Sequence, residues 1–264
     1  MKKVLNKFGA EPFIIHLPGD GMKDFYHYIS FLEDKPITYN ENIHVVFICT
    51  PDIDSPLERQ LIKNNIPYTN ILSFIQKDYL KISKKWNWMY KHIAMQRFLN
   101  DWETLESKNI SKTTYFIVLD ASDIIINHLD NIVDTYKKNY KNKIVFCGTK
   151  SEYPNEYFFD KNYKQTPTHK ANFCVYINNG CYLANYHYLN KLTELILQCN
   201  STGLCGDYKL LPHLINDDQY ICKVIMEKQI LGYNTMYVDD YCVFFQSASA
   251  CTIINETEDA VIID

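Results

Sequence analysis

These 264 residues contain no Cys-x-x-Cys pair, no Gly-rich phosphate fingerprint and no Gly-x-Ser-x-Gly elbow. The turn Pro18-Gly19-Asp20-Gly21 lacks both the spaced glycines of a dinucleotide loop and the lysine of a P-loop, which disfavours NTPases and Rossmann dehydrogenases. Without the elbow, a serine hydrolase of the α/β type is disfavoured too. Basic residues (27, against 31 acids) form no stripe, so no nucleic-acid partner is expected. No apolar run approaches membrane-spanning length, so no membrane span is expected. The start, Met1-Lys2-Lys3-Val4-Leu5-Asn6-Lys7-Phe8, is basic but has no continuous apolar stretch and makes a poor signal peptide; the cytoplasm is the default expectation. The eight histidines, at 16, 27, 44, 92, 128, 169, 187 and 213, show no close metal-ligand spacing. No repeat or linker stands out, and nothing in the sequence fixes an oligomeric state.

Nine cysteines are present, scattered at 49, 147, 174, 181, 199, 205, 222, 242 and 251, several inside apolar runs such as Val45-Val46-Phe47-Ile48-Cys49. An odd, dispersed set reads as reduced, buried thiols rather than a disulfide framework, and a Cys199–Cys205 bridge has no support from spacing alone. At 47% hydrophobic, a chain of this length buries a full core without a disulfide or metal. Tyrosine (21), phenylalanine (14) and asparagine are plentiful. Such a composition suits a sugar-binding cleft, which stacks on aromatics and bonds through amides; it also follows from an AT-rich genome.

Strands and helices alternate along the chain, which predicts an α/β fold with a mainly parallel sheet flanked by helices, in one domain with long loops. Strands are expected over 13–17, 44–49, 68–72, 115–119, 143–147 and 236–245, and an extended segment over 175–184 broken at Asn178-Asn179-Gly180. Helices are expected over 23–32, 56–63, 88–99, 129–140, 188–198 and 217–228, with long irregular stretches over 149–173 and 199–216.

The strongest chemical feature is Phe116-Ile117-Val118-Leu119-Asp120-Ala121-Ser122-Asp123. A buried strand delivers two carboxylates at its carboxyl end, where open α/β sheets bind ligands. Asp120 and Asp123 can converge on one Mn²⁺ or Mg²⁺. The plainer alternative makes Asp120 a cap and Asp123 a solvated turn residue. Asn178-Asn179-Gly180 lets backbone approach a ligand closely and presents amides to hydroxyls, or it is simply a turn. Asn216-Asp217-Asp218-Gln219 opens a helix, where acids cap and meet the helix dipole, or where one acts on a sugar hydroxyl. Tyr237-Val238-Asp239-Asp240-Tyr241 and Phe244-Phe245-Gln246 read as core strand with a polar tip.

Taken in order, these segments resemble the glycosyltransferase domain of collagen lysyl hydroxylases and related collagen glycosyltransferases, viral members included. Leu119-Asp120-Ala121-Ser122-Asp123-Ile124-Ile125 matches its Asp-x-x-Asp metal motif. Phe146-Cys147-Gly148 through Tyr153-Pro154 is similar to its strand and aromatic–Pro loop, Ile177-Asn178-Asn179-Gly180-Cys181-Tyr182 to its Asn-Ser-Gly-Gly element, and Asp217-Asp218-Gln219-Tyr220 to its Asp-Asp-Gln. Asp240 through Phe244-Phe245-Gln246 resembles its late Asp…Phe-Gln segment, so the likeness spans about 115–249.

The resemblance implies a GT-A-like fold over 1–264, with a nucleotide-binding half over 1–110 and a metal, donor-sugar and acceptor half over 111–264. It implies Mn²⁺ (or Mg²⁺) held by Asp120 and Asp123, and a UDP-sugar donor, UDP-glucose or UDP-galactose. Asn178, Asp217 and Asp218 would contact the sugar or transfer centre, with Gly180 beside them. His16, Leu17 and Lys91 would lie at the uridine site. The acceptor would be a glycan or collagen-like hydroxylysine, and for a viral member the compartment would be host cytoplasm. Departures exist: Cys181 replaces a glycine, Thr149 replaces an acid with Glu152 nearby, and no histidine follows His213 to supply the family's late metal ligand. A catalytically lapsed module binding sugar nucleotide or glycan is one alternative. A sugar-phosphate nucleotidyltransferase is another, disfavoured by the lack of a Gly-rich, basic N-terminal loop.

Overall fold

A computed structural model describes residues 2–19, 21–40, 42–50, 53–75, 88–106, 114–149, 176–239, 241–248 and 254–263. The irregular stretch expected over 149–173, with Tyr153-Pro154, lies outside these residues except for Thr149, and so does Asp240.

The apolar runs build one six-stranded sheet from β3 (Ile43–Ile48), β4 (Tyr68–Asn70), β5 (Tyr115–Asp120), β7 (Ile144–Thr149), β8 (Tyr176–Asn185) and β11 (Met236–Asp239). Its order is β11-β7-β8-β5-β3-β4, and only β8 runs against its neighbours. The α/β class and mostly parallel sheet thus match the alternation of elements. β3, from the first 110 residues, bonds directly to β5, so one sheet crosses the expected boundary between halves.

Side chains alternate between two cores, as the strand period of two requires. Phe116, Val118, Ile144 and Phe146 pack under α3 (Met89–Glu106), α5 (Tyr186–Thr202) and α6 (Asp218–Glu227). Ile117, Leu119, Val145 and Cys147 face α2 (Pro56–Lys63) and α4 (Ile132–Tyr140) on the other side. The same core takes in, through Ile14, Ile124, Ile126 and Phe245, one face of a second sheet in the order β12-β2-β6, formed by β12 (Phe245–Ser247), β2 (Ile14–His16) and β6 (Ile124–Ile126). A third cluster joins its outer face, through Ile15 and Ile125, to α1 (Gly21–Ile29) and to β1 (Lys3–Asn6) and β14 (Ala260–Ile263). β14 also pairs with β13 (Ile254–Glu256), and β9 (Leu204–Cys205) pairs with β10 (Tyr208–Lys209).

Several elements differ from expectation for identifiable reasons. The strand expected over 236–245 is two strands in two sheets. Buried Asp239 accepts from the backbone N–H groups of Val243, Phe244 and Phe245, and this turns the chain between them. The strand expected over 68–72 stops at Asn70, whose side chain accepts from Leu72 N and starts a 3₁₀ turn. Cys199 and Cys205 form a disulfide, correcting their reading as free thiols. Gly203, at φ 70°, ends α5 in a left-handed turn, and the two Cα atoms stand 4.8 Å apart. Cys49, Cys147, Cys181, Cys222 and Cys242 are buried thiols.

His44, on β3, bonds Thr69 Oγ1 at 2.8 Å and packs among Phe98, Trp102 and Phe116. Burial lowers its pKa from 6.5 to about 4. Below pH 6.5 the unfolded chain binds a proton there that the folded protein refuses until about pH 4, so stability is whole above that window and falls within it. Going from pH 7 to pH 5 should cost about 2 kcal/mol through this residue. Urea unfolding of His44→Phe should lack that component; an identical pH loss in both proteins would overturn the assignment. Among the described residues, no helix is long and apolar enough to cross a membrane.

Candidate metal centre

β5 is fully apolar from Phe116 to Leu119 and sits between β3 and β8; it releases the chain at Asp120, beside the end of β3. Three contacts then shape Ala121-Ser122-Asp123. Ser55, the N-cap of α2, donates its hydroxyl to Ala121 O at 2.6 Å, and Leu17 N donates to Asp123 O at 2.8 Å. Ile124 enters β6 antiparallel to β2, directly opposite His16. The return folds His16 onto the acidic turn, with Nε2 3.3 Å from Asp123 Oδ2.

The third wall comes from a bulge in β8. Phe146 faces Tyr182 but the next residue, Cys147, faces Asn178, so 179–181 are extra residues against β7. Asn178 Oδ1 accepts from Gly180 N at 2.8 Å and holds the loop in place. A Cβ on Gly180 would lie 2.6 Å from Asp120 Oδ2, 2.8 Å from His16 Cε1 and 3.0 Å from Asn178 Oδ1. Only glycine allows that approach.

Two consecutive residues of α3 complete the network. Lys91 Nζ lies 3.0 Å from Asp120 Oδ1 and 3.2 Å from Asn179 O. His92 Nε2 lies 3.0 Å from Asp218 Oδ2. Burial opposes charge on Lys91, yet Asp120 overrides it and keeps the ammonium well above its ordinary pKa. Burial likewise opposes charge on His16, and the Asp123 carboxylate reverses this, lifting the imidazole to about 10. Burial raises the Asp120 carboxyl, while Lys91 and His16 draw it back. Burial alone would raise Asp218, but His92 and Lys91 hold it below the usual carboxylate range.

Asp120, Ala121, Ser122 and Asp123 form the acidic end of a cleft of about 360 Å³, a size that suits a small ligand. Ile48, Cys49, Thr50, Ile53 and Trp88 line the rest. Trp88 and Ile53 are 48% and 44% exposed, so the apolar wall opens to solvent.

One donor atom from each of His16, Asp120 and Asp123 lies within 4.8 Å of the others, so this group could hold a metal ion. The fit is supported by Asp123 Oδ1, which is buried and has no hydrogen-bond partner, a state that native proteins rarely leave uncompensated.

Asp120, Asp123, His16, Gly180 and Asn178 are therefore brought together, with Lys91 behind Asp120. Asp218 joins the network through His92. Asp217 is used otherwise: it caps α6 by accepting from Tyr220 N at 2.8 Å, and burial raises its carboxyl. The Leu17 side chain is fully buried in the third core, and its backbone alone touches the centre. His16, expected from the sequence at a nucleotide, lies against the acidic pair, while His92, Ser55 and Trp88 carry no expectation of a site role from the sequence. The signals were present in the Ile124-Ile125-Ile126 run and in His92 beside Lys91. The centre rests on its own geometry: no protein-family model matches the chain, and no curated protein matches it.

Proposed function

We propose that this chain is a metal-dependent glycosyltransferase of the GT-A type, moving a hexose from UDP-glucose or UDP-galactose to a hydroxyl on a glycan or collagen-like hydroxylysine. The observation that carries the reading is a cleft whose apolar wall of Ile48, Ile53 and Trp88 runs into a His/Asp/Asp group at the carboxyl end of a parallel strand. A nucleoside diphosphate has the same polarity, with a flat base at one end and anionic oxygens at the other.

In this reading Trp88 and Ile53 receive the base, and Thr50 and Ser122 offer hydroxyls along the cleft. His16, Asp120 and Asp123 would hold the cation, which when bound neutralises charge on departing UDP. An imidazole among the donors favours Mn²⁺ over Mg²⁺, which takes oxygen ligands almost exclusively. Asn178, anchored on the bulge, meets the hexose, and Asp218, fixed by His92, serves the transfer centre behind it. Asp217 is committed to its cap and takes no part.

Incubated with Mn²⁺ and UDP-glucose or UDP-galactose, the protein should release UDP, and faster when a hydroxylysine-containing collagen peptide is added. Binding of UDP with no release from either donor would make it a lapsed sugar-nucleotide module. Dependence on a sugar 1-phosphate plus UTP would make it a nucleotidyltransferase.

A further inference from the structure

We propose that Lys91 is a positioning residue of the metal centre: its ammonium takes one oxygen of Asp120, leaves the other for the cation, and makes cation binding depend on an anionic co-ligand. This rests on the metal reading above and concerns how that site is controlled.

The geometry defines the role. Lys91 is 2% exposed, and its Nζ is held between Asp120 Oδ1 at 3.0 Å, Asn179 O at 3.2 Å and the face of Tyr182, 6.0 Å from the ring centroid. It is absent from the cleft lining, so it does not reach out to a phosphate as a nucleotide-binding lysine does. On the other side of the carboxylate, Oδ2 faces Gly180, where any side chain would collide with it. Asp120 is thereby fixed in one orientation, with one oxygen engaged and one free. α3 is pinned at the same turn by His92 on Asp218, so Lys91 has no slack to withdraw.

Charge gives the consequence. With His16 neutral, as a metal ligand must be, Asp120 and Asp123 supply two negative charges, and Lys91 cancels one of them from within the protein. A divalent cation arriving alone meets a half-neutralised pair beside a fixed positive charge, and so binds weakly. A diphosphate supplies the missing negative charge, so cation and anion hold each other in place. By linkage each must then tighten the other by the same factor.

The test is isothermal titration with Mn²⁺, with and without inorganic pyrophosphate, corrected for the pyrophosphate complex that forms in solution. Wild type should bind Mn²⁺ at least tenfold more tightly with pyrophosphate present. Lys91→Met, similar in length and uncharged, should bind Mn²⁺ alone at least tenfold more tightly than wild type and lose most of the pyrophosphate enhancement. Lys91→Arg, which keeps the charge, should retain the coupling. A folded Lys91→Met protein whose Mn²⁺ affinity is unchanged or weaker would overturn the proposal and leave Lys91 a structural ion pair. If Lys91→Met does not fold, the wild-type arm still decides, because Mn²⁺ binding indifferent to pyrophosphate overturns the coupling by itself. No Mn²⁺ binding under either condition would remove the metal centre and this proposal together, which separates the two failures.

Discussion

An Asp123→Ala protein should show no Mn²⁺-dependent thermal stabilisation by UDP, whereas wild type should show a clear one. Ligands that bind only the folded state stabilise it by mass action, about 2.7 kcal/mol at a hundredfold excess over Kd. For a chain of this size that raises the melting temperature by about 5 °C. Asp123 is the cleanest residue to remove. It lines the cleft, its buried Oδ1 has no hydrogen-bond partner, and its Oδ2 is engaged by His16. Alanine therefore deletes a cation ligand without exposing the sheet core. GDP and CMP should stabilise wild type less than UDP. An Asp123→Ala protein that still gains about 5 °C from UDP and Mn²⁺ would show that the cation, if bound, is held elsewhere.

Gly180→Ala should leave the protein folded while weakening Mn²⁺ binding by about tenfold or more, the range seen when the support of a metal ligand is disturbed. The nearest atoms that a new methyl would strike are side-chain atoms rather than backbone, Asp120 Oδ2 at 2.6 Å and His16 Cε1 at 2.8 Å, so the displacement falls on the donor residues and not on the sheet. The fold therefore loses little. Those same atoms belong to two of the three cation donors, and moving them by a few tenths of an ångström spoils their convergence. Thermal melts should place the apo variant close to wild type, while titration with Mn²⁺ should separate the two clearly. Equal Mn²⁺ affinities would mean that the donors do not act from the positions described.

The main sheet was legible because its strands are apolar on both faces. Tyr115–Asp120 and Ile144–Thr149 declare themselves as short hydrophobic runs between polar helices, and their carboxyl ends point to a ligand site. The acidic pair was legible for the same reason. What the sequence hides is contact between distant residues. His16 and Asp123 are 107 positions apart, and no spacing rule connects them; their meeting depends on the register that sets His16 opposite Ile124. Asn178-Asn179-Gly180 reads as a turn in composition, yet β8 continues through it as a bulge because β7 pairs with it on both sides, at Asn178 and at Tyr182. The paired acids at 217 and 218 look equivalent in sequence. One step along the helix start gives one of them to the N-cap and the other to His92.

The second sheet has a consequence for synthesis. The strand that carries His16 is flanked on one side by Ile124–Ile126 and on the other by Phe245–Ser247, and Ala248 N bonds His16 O at 2.8 Å. The imidazole therefore has no fixed position until residue 248 has left the ribosome. A nascent chain exposes its aspartates long before it can close a three-donor cage around an ion. Any metal ion that this group holds would thus be captured only at the final stage of folding, once both flanking strands are in place.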